Sequence, residues 1–458
     1  MAEFNFDVVI LGGGSGGYAA ALRSAQLGKT VALVEKDKLG GTCLHRGCIP
    51  TKALLHSAEV ADVTKDAAAY GIGAQFTGVD MLGVNKYRDG IVDRLFKGLT
   101  GLVNSKAITV VAGEGRLTGP KTVTVNGDNY TGQNVVLASG SYSRSLPGLE
   151  IGGRVITSET ALQLEFVPSS VVILGGGVIG VEFASIWKSF GSDVTIVEGL
   201  PSLVPNEDPS ISKALERAYR KRGINFKTGV RFSGVQQSDT GVVVSLESGE
   251  TISAELLLVA VGRGPNTAGL GYEEQGVQMD RGFVLTNERL QTSVAGVYAA
   301  GDIVPGLQLA HRGFQQGIFI AEEIAGLNPA VIDENGIPKV TYCEPEIASV
   351  GLTEAKAAEK FGADNISTYE YNLGGNGKSQ ILGTAGFIKL IRKNDGPVIG
   401  VHMIGSRVGE QIGEAQLIVN WEAYPEDVAT LIHAHPTMNE AIGEAHLALA
   451  GKPLHAHA

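Results

Sequence analysis

Two of the chain's three cysteines, Cys43 and Cys48, stand five positions apart in Gly40-Gly41-Thr42-Cys43-Leu44-His45-Arg46-Gly47-Cys48-Ile49-Pro50-Thr51-Lys52. A disulfide closing so short a loop adds little folding stability and is readily reduced when strained. A helical pattern starts near Pro50, and a thiolate at a helix N-terminus is favoured by the dipole and the free N–H groups there. That placement suits redox chemistry. Zinc fits poorly, because no second Cys/His pair lies nearby at ligand spacing. Two ordinary buried cysteines are the plain alternative. The third, Cys343 in Tyr342-Cys343-Glu344-Pro345, reads as a buried structural thiol.

A second candidate lies near the other end, in His433-Ala434-His435-Pro436-Thr437-Met438-Asn439-Glu440. Pro436 fits the first position of a helix, which puts His435 at its cap and Glu440 a little over one turn on. A Glu there can hold one ring nitrogen of His435 and leave the other as a base near neutral pH. Thr437 with Glu440 reads equally as a capping box, and His433 with His435 as a metal pair. The other histidines carry no such pattern; His455 and His457 fall in a tail expected to fray.

Groups so far apart along the chain need a scaffold, and the sequence supplies one twice. Asp7-Val8-Val9-Ile10-Leu11 reads as a buried strand and runs into Gly12-Gly13-Gly14-Ser15-Gly16-Gly17. A helical stretch from Tyr18 to Leu27 follows, then a strand from Thr30 to Val34 that ends in Glu35. The same order recurs 163 residues on, from Gly12 to Gly175 and from Glu35 to Glu198. Each copy is a strand, a G-x-G-x-x-G turn, a helix and an acid about 20 residues later, the dinucleotide fingerprint. Gly12 and Gly175 permit the tight turn, Gly14 and Gly177 let the backbone approach a pyrophosphate, and Gly17 and Gly180 let helix and strand pack. A single copy would be weak; two at one spacing leave little room for a mere glycine-rich turn. Glu35 and Glu198 would accept hydrogen bonds from ribose hydroxyls. Glu198 would also repel a 2′-phosphate, and Gly199-Leu200-Pro201-Ser202 offers no Arg to bind one, so the second site reads as NAD rather than NADP.

Composition agrees with this picture. The 458 residues allow roughly three domains. A net charge of −11 with no basic block argues against nucleic acid or a polybasic membrane anchor. The 63 glycines, about twice the usual share, suit many tight turns and close ligand approaches. The first residues carry no secretory pattern, and the longest apolar run, 171 to 187, is broken by Glu182 and by glycines. Three cysteines make no disulfide framework, so the expected compartment is the cytoplasm, a processed organelle form being equally compatible.

Taken together, the cysteine motif, the two fingerprints, Ala299-Ala300-Gly301-Asp302 and His435-Pro436-Thr437 resemble the FAD-dependent pyridine nucleotide-disulfide oxidoreductases. The likeness covers essentially the whole chain in the family's order. It implies an α/β fold with two Rossmann-like domains, for FAD and NAD, and a C-terminal α+β dimerisation domain. The expected boundaries are 1–145 for FAD, 146–265 for NAD, 266–335 for a return to the FAD layer and 336–458 for the dimerisation domain. Asn335-Gly336-Ile337-Pro338 marks the last of these with turn residues.

By the same resemblance, Cys43 exchanges with substrate, and Cys48 is the thiolate beside the flavin, forming a charge-transfer pair. Lys52 lies near the reactive flavin nitrogen and pairs with Glu182; without the resemblance both would pass for solvated helix charges. The FAD set implied is Gly12, Gly14, Gly17, Glu35, Lys36, Gly41, Thr42, Gly115, Ser139, Gly140 and Asp302, with Leu309, Ala310 and His311 wrapping the flavin. Gly175, Gly177, Gly180, Glu182, Glu198, Gly262 and Arg263 would line the NAD side. His435 and Glu440 would be the base pair, delivered by the second subunit of a homodimer. The implied reaction is oxidation of dihydrolipoyl groups with NAD, on lipoyl-bearing domains of 2-oxo acid dehydrogenase complexes or the glycine cleavage system. Relatives acting on glutathione would want arginines for NADP, and those acting on mercury or thioredoxin a C-terminal cysteine pair; neither is present. A non-catalytic redox-sensing flavoprotein is the alternative of another class. His45, Ser139, Gln316 and Cys343 depart from the family's usual Asn, Thr, Glu and Thr.

Overall fold

The computed structural model describes residues 2–456. Its first layer is a mixed sheet built around two long strands, Glu3–Leu11 and Asp128–Leu137, which run parallel. Val31–Glu35 and Ile108–Ala112 extend it in parallel on one side. On the other side the early half of Asp128–Leu137 pairs antiparallel with Thr122–Val125, and its late half takes Val297–Ala299 in parallel. Val8 to Leu11 and Val31 to Val34 are buried, as continuous β-branched runs are when both faces of a parallel sheet are covered. The cover on one face is tight: the helices Ser15–Gln26 and Ala310–Ile324 cross where a Cβ on Gly317 would lie 2.3 Å from the Gly16 carbonyl oxygen.

The second layer repeats the motif as a five-stranded parallel sheet. Its order is Asn225–Thr228, Asp193–Glu198, Ser170–Leu174, Leu256–Val259 and Val155–Thr157. An antiparallel meander, Phe232–Gln237, Val242–Leu246 and Thr251–Ala254, packs beside it, with turns at 238–241 and 247–250. The chain leaves the first layer through Ser141–Ser143 and returns through Arg263–Pro265, and these two segments pair as a ribbon.

The third unit is a five-stranded antiparallel sheet ordered Lys339–Thr341, Glu346–Gly351, Val398–Gly405, Phe387–Lys393, Ile366–Asn372. Helices Val408–Asn420 and Glu440–Leu449 share its core. The tail is held rather than frayed as far as His455, whose ring and backbone N–H both donate to Glu444; His457 lies outside the described residues.

A buried charge cluster joins the second and third units. Lys389 donates to Asp208 at 2.8 Å and to Glu354 at 2.6 Å, and Asp208 is fully buried. Burial opposes ionisation of Asp208, but Lys389, the Glu354 N–H and Ser210 outweigh it and hold the carboxyl well below its usual range. Lys389→Met would leave that carboxylate buried and unpaired, at a cost of about 3 kcal/mol read as a lower denaturant midpoint. Since Asp208 titrates lower folded than unfolded, its contribution is complete above about pH 5 and fades as the pH falls below about 4. The variant and the parent should therefore converge in stability in acid.

Candidate active site

The two fingerprint turns are near copies in three dimensions. Gly12 and Gly175 both have positive φ, and a Cβ on either would lie 2.2 or 2.3 Å from a carbonyl oxygen of the neighbouring strand, that of Ala138 or Ala260. A Cβ on Gly17 or Gly180 would strike the first glycine's own carbonyl oxygen at 1.7 or 1.9 Å. These positions admit only glycine. The middle glycines differ. Beside Gly177 there is open space, and beside Gly14 only the Gly41 Cα at 4.0 Å. Gly14 and Gly177 cap the helices Ser15–Gln26 and Val178–Phe190, neither helix with a side-chain cap, so both N-termini face that space with free N–H groups. The residues fit a dinucleotide pyrophosphate at each turn.

The acids are posed alike. Glu35 accepts from the Gly13 N–H at 2.7 Å and the Asp37 N–H at 2.8 Å; Glu198 accepts from Gly176 at 2.6 Å and Leu200 at 2.8 Å. Each carboxylate is thus aimed by its own turn, with lone pairs left for a ribose. Among the described residues Lys36 pairs with Glu114, at 3.4 Å on the surface. Gly115 is buried, and a Cβ there would strike Leu11 and Val34, so packing as well as ligand approach requires glycine.

The cysteine segment folds as two helices rather than one. Gly41–Arg46 carries Thr42 and Cys43, and Cys48–Asp66 begins at Cys48 itself, two residues ahead of the expected start at Pro50. Gly41 has positive φ, and a Cβ on it would lie 2.8 Å from the Gly14 Cα, so the cysteine turn rests directly on the first fingerprint turn. Both cysteines are free thiols and partly buried, and each acts on the other's ionisation. The neighbouring Cys43 thiol draws the Cys48 thiol down to about 7; burial and Glu182 oppose this and Lys52 assists it. Cys43 is raised, first by Cys48 and then by burial. Of the two, Cys48 is the one whose thiolate the surroundings favour.

Lys52 sits four residues after Cys48 on the same helix face. Its ammonium donates to both oxygens of Glu182, at 2.9 and 2.8 Å, and Glu182 is 3% exposed in the second fingerprint helix. Burial works against the Lys52 charge, but Glu182 outweighs it and raises the ammonium above its usual range. Further along the same two helices, Arg222 bridges Asp62 at 3.0 Å and Ser189 at 2.8 Å. The helix bearing Cys48 is therefore clamped at two places to the helix of the other nucleotide turn.

Asp302 accepts from Ser141 Oγ, which accepts in turn from Arg263 Nε at 2.7 Å. Arg263 also donates to Ser143, so its guanidinium is turned onto the ribbon between the layers. Ser139 accepts from the Tyr272 hydroxyl at 2.9 Å, and Gly140 has positive φ with open space beside it, as does Gly262. Gln316 accepts from the Gly301 N–H at 2.7 Å and steadies the turn before Asp302. Leu309 caps the helix that Ala310 opens, and His311 donates to the Pro338 carbonyl at 2.7 Å. His45 donates to the Leu39 carbonyl at 2.8 Å, and Cys343 is buried at 1% exposure.

At the other end, His435 Nδ1 donates to Glu440 at 2.7 Å and its side chain is 78% exposed. Partial burial opposes ionisation of Glu440, but the Thr437 N–H and His435 hold its carboxyl below the usual range. Two expectations need correction. Pro436 does not open a helix; the helix begins at Glu440, whose carboxylate is engaged by His435 and the Thr437 N–H ahead of it. The Thr437 hydroxyl donates back to Ala434, so the capping box is only half formed. His433 and His435 also do not form a metal pair. His433 donates to a different acid, Glu414, at 2.7 Å, and no group of metal-ligand residues occurs among the described residues. Nothing in the sequence marked Glu414, Ser141 or Tyr272. Within the chain, no hydrogen bond or ion pair joins His435 to Cys43 or Cys48 among the described residues.

Comparison with known proteins agrees with this geometry. A family model described as pyridine nucleotide-disulphide oxidoreductase matches residues 6–317, and its dimerisation domain matches 337–446. A dihydrolipoyl dehydrogenase of Bacillus subtilis is 43% identical over 98% of this chain and 99% of its own. A mitochondrial dihydrolipoyl dehydrogenase of Pisum sativum is 39% identical over 98% and 92%, and a leghemoglobin reductase of Glycine max 39% over 98% and 88%. Among solved structures, LpdA from Mycobacterium tuberculosis superposes with a TM-score of 0.89 at 26% identity, over 98% of this chain and all of that one. The chain belongs to the pyridine nucleotide-disulphide oxidoreductase family.

Proposed function

We propose that the protein is a dihydrolipoyl dehydrogenase, oxidising dihydrolipoyl groups on partner proteins and reducing NAD. The observation that carries this is the join between the two nucleotide sites: Cys48 and Lys52 on one helix, with Lys52 bonded to Glu182 on the helix of the second turn. The first turn with Glu35, Gly41, Thr42 and Asp302 would hold FAD, and the second with Glu198 would hold NAD. Bound there, FAD supplies a two-electron relay between thiols and NAD.

The chain's own residues handle the sulfur chemistry. His435, with Nδ1 committed to Glu440, takes the proton of a substrate thiol at Nε2. The resulting thiolate attacks Cys43 of the Cys43–Cys48 disulfide, and Cys48 leaves as a thiolate, the easier leaving group because its pKa is low. His435 releases that proton to solvent and takes the proton of the second substrate thiol, whose sulfur attacks the substrate sulfur of the mixed disulfide. A cyclic disulfide leaves, and Cys43 takes the proton back from His435. Lys52 holds the charge left on Cys48.

The exposure of His435 supports a homodimer in which each chain's base serves the other's cysteines. In the same unit Ile432 is 99% exposed and Trp421 76%, apolar surface suited to a partner. Partners would be the lipoyl domains of 2-oxo acid dehydrogenase complexes or the glycine cleavage system, in the cytoplasm. No helix among the described residues is long and apolar enough to cross a membrane.

The test is an anaerobic absorbance titration of the holoenzyme with dihydrolipoamide, then NAD. A long-wavelength band should appear with the thiol and collapse as NADH absorbance rises. If NADH bleaches the flavin while dihydrolipoamide does nothing, the lipoyl assignment falls.

A further inference from the structure

Tyr342 belongs to the third unit, directly after the strand Lys339–Thr341, yet it touches the redox centre in two ways. Its backbone N–H donates to Glu182 Oε1 at 2.9 Å. Its ring lies under the Lys52 ammonium, with Nζ 4.7 Å from the ring centroid. Lys52 therefore has a carboxylate and an aromatic face, both fixed to buried frameworks, around an ammonium whose stem is partly open to water. An ammonium on a flexible stem has many rotamers, and one acidic partner fixes distance better than direction. The ring supplies the second coordinate.

We propose that Tyr342 is a positioning residue of the redox centre, whose ring and amide hold the Lys52–Glu182 pair with the ammonium on the Cys48 side of its helix. The idea rests on the function proposed above for its purpose, although not for its geometry. Charge placement decides the matter. Lys52 favours the Cys48 thiolate and Glu182 opposes it, so their relative placement sets how much negative charge the sulfur can carry. The amide bond shares the charge of one Glu182 oxygen, and the ring keeps Lys52 from turning out to water. The groups acting on Cys48 are Cys43, Lys52 and Glu182; those around Tyr342 are Lys52, Glu182, Glu346 and Glu410. Glu346 and Glu410 both belong to the third unit and act on Tyr342, while the groups named for Cys48 are Cys43, Lys52 and Glu182.

Tyr342→Leu keeps the amide and removes the ring; Tyr342→Phe keeps both and removes only the hydroxyl. In dithiothreitol-reduced holoenzyme, the rate of Cys48 alkylation by iodoacetamide, followed by peptide mass spectrometry over about pH 5 to 9, reports the thiolate directly. The Leu variant should shift that profile upward by about half a unit, and the Phe variant should overlay the parent. A Leu profile that coincides with the parent, or a Phe profile displaced as far as Leu, overturns the proposal. Should the Leu protein fail to retain flavin, Tyr342→Met takes its place with the same expectation. The readout needs no lipoyl substrate. A parent that fails to oxidise dihydrolipoamide but shows the Leu–Phe contrast would remove the proposed function and leave Tyr342 in its role.

Discussion

Cys48→Ser lowers dihydrolipoamide turnover by at least about a thousandfold, the order lost when the residue at the centre of a covalent mechanism is deleted. The remaining Cys43 has lost the sulfur it pairs with, so the substrate's electrons lose their entry. The nucleotide turns do not involve Cys48: their glycines and acids are fixed by Gly12, Gly17, Gly175 and Gly180 and by backbone N–H groups. Flavin content and NADH-driven reduction of a small artificial acceptor should therefore stay within a few fold of the parent. Steady-state rates with both acceptors separate the two halves. Full lipoyl turnover in the Ser protein would rule out the disulfide route, and loss of both activities would mean that the cysteine supports the fold instead.

His435→Gln should lower kcat for dihydrolipoamide oxidation by about 10²- to 10⁴-fold, the usual contribution of a positioned general base. Glu440→Gln leaves the ring in place but removes the charge that orients it, so a smaller loss is expected, of order tenfold. His433→Gln is the internal control. His433 has its own acid in Glu414, which raises its pKa, and its Nδ1 faces Gly443, where a Cβ would lie 2.5 Å away. Its loss should be felt mainly in stability. Rapid-mixing measurements of thiol-driven reduction test all three. Equal losses at His433 and His435 would undo the assignment of the base.

The features legible in the sequence share a local cause. A glycine whose Cβ would meet a backbone oxygen five residues away must be glycine in any such turn, and that rule wrote the fingerprint twice. The cysteine spacing and the His435–Glu440 pair are likewise short-range. What escaped reading joins residues far apart: Arg263 with Ser141, Asp208 with Lys389, Gly16 against Gly317, and Tyr342 with Lys52 and Glu182. No window of sequence contains both partners, so no periodicity reveals them. The start of the last helix failed differently. Pro436 and Thr437 carry strong helix-start signals, but the Glu440 carboxylate meets His435 and the Thr437 N–H outside the helix, and the helix waits until Glu440.

In the homodimer proposed above, with each chain's His435 serving the other's cysteines, catalysis becomes a matter of mass action. Each chain carries a complete thiol pair and both nucleotide turns, and offers its base to solvent at 78% exposure. A chain on its own would be a redox-competent but base-deficient species, able to carry electrons between its bound nucleotides and unable to accept them from a thiol at speed. Dilution below the dimer constant would then silence one reaction and spare the other, with no change in either fold or cofactor content.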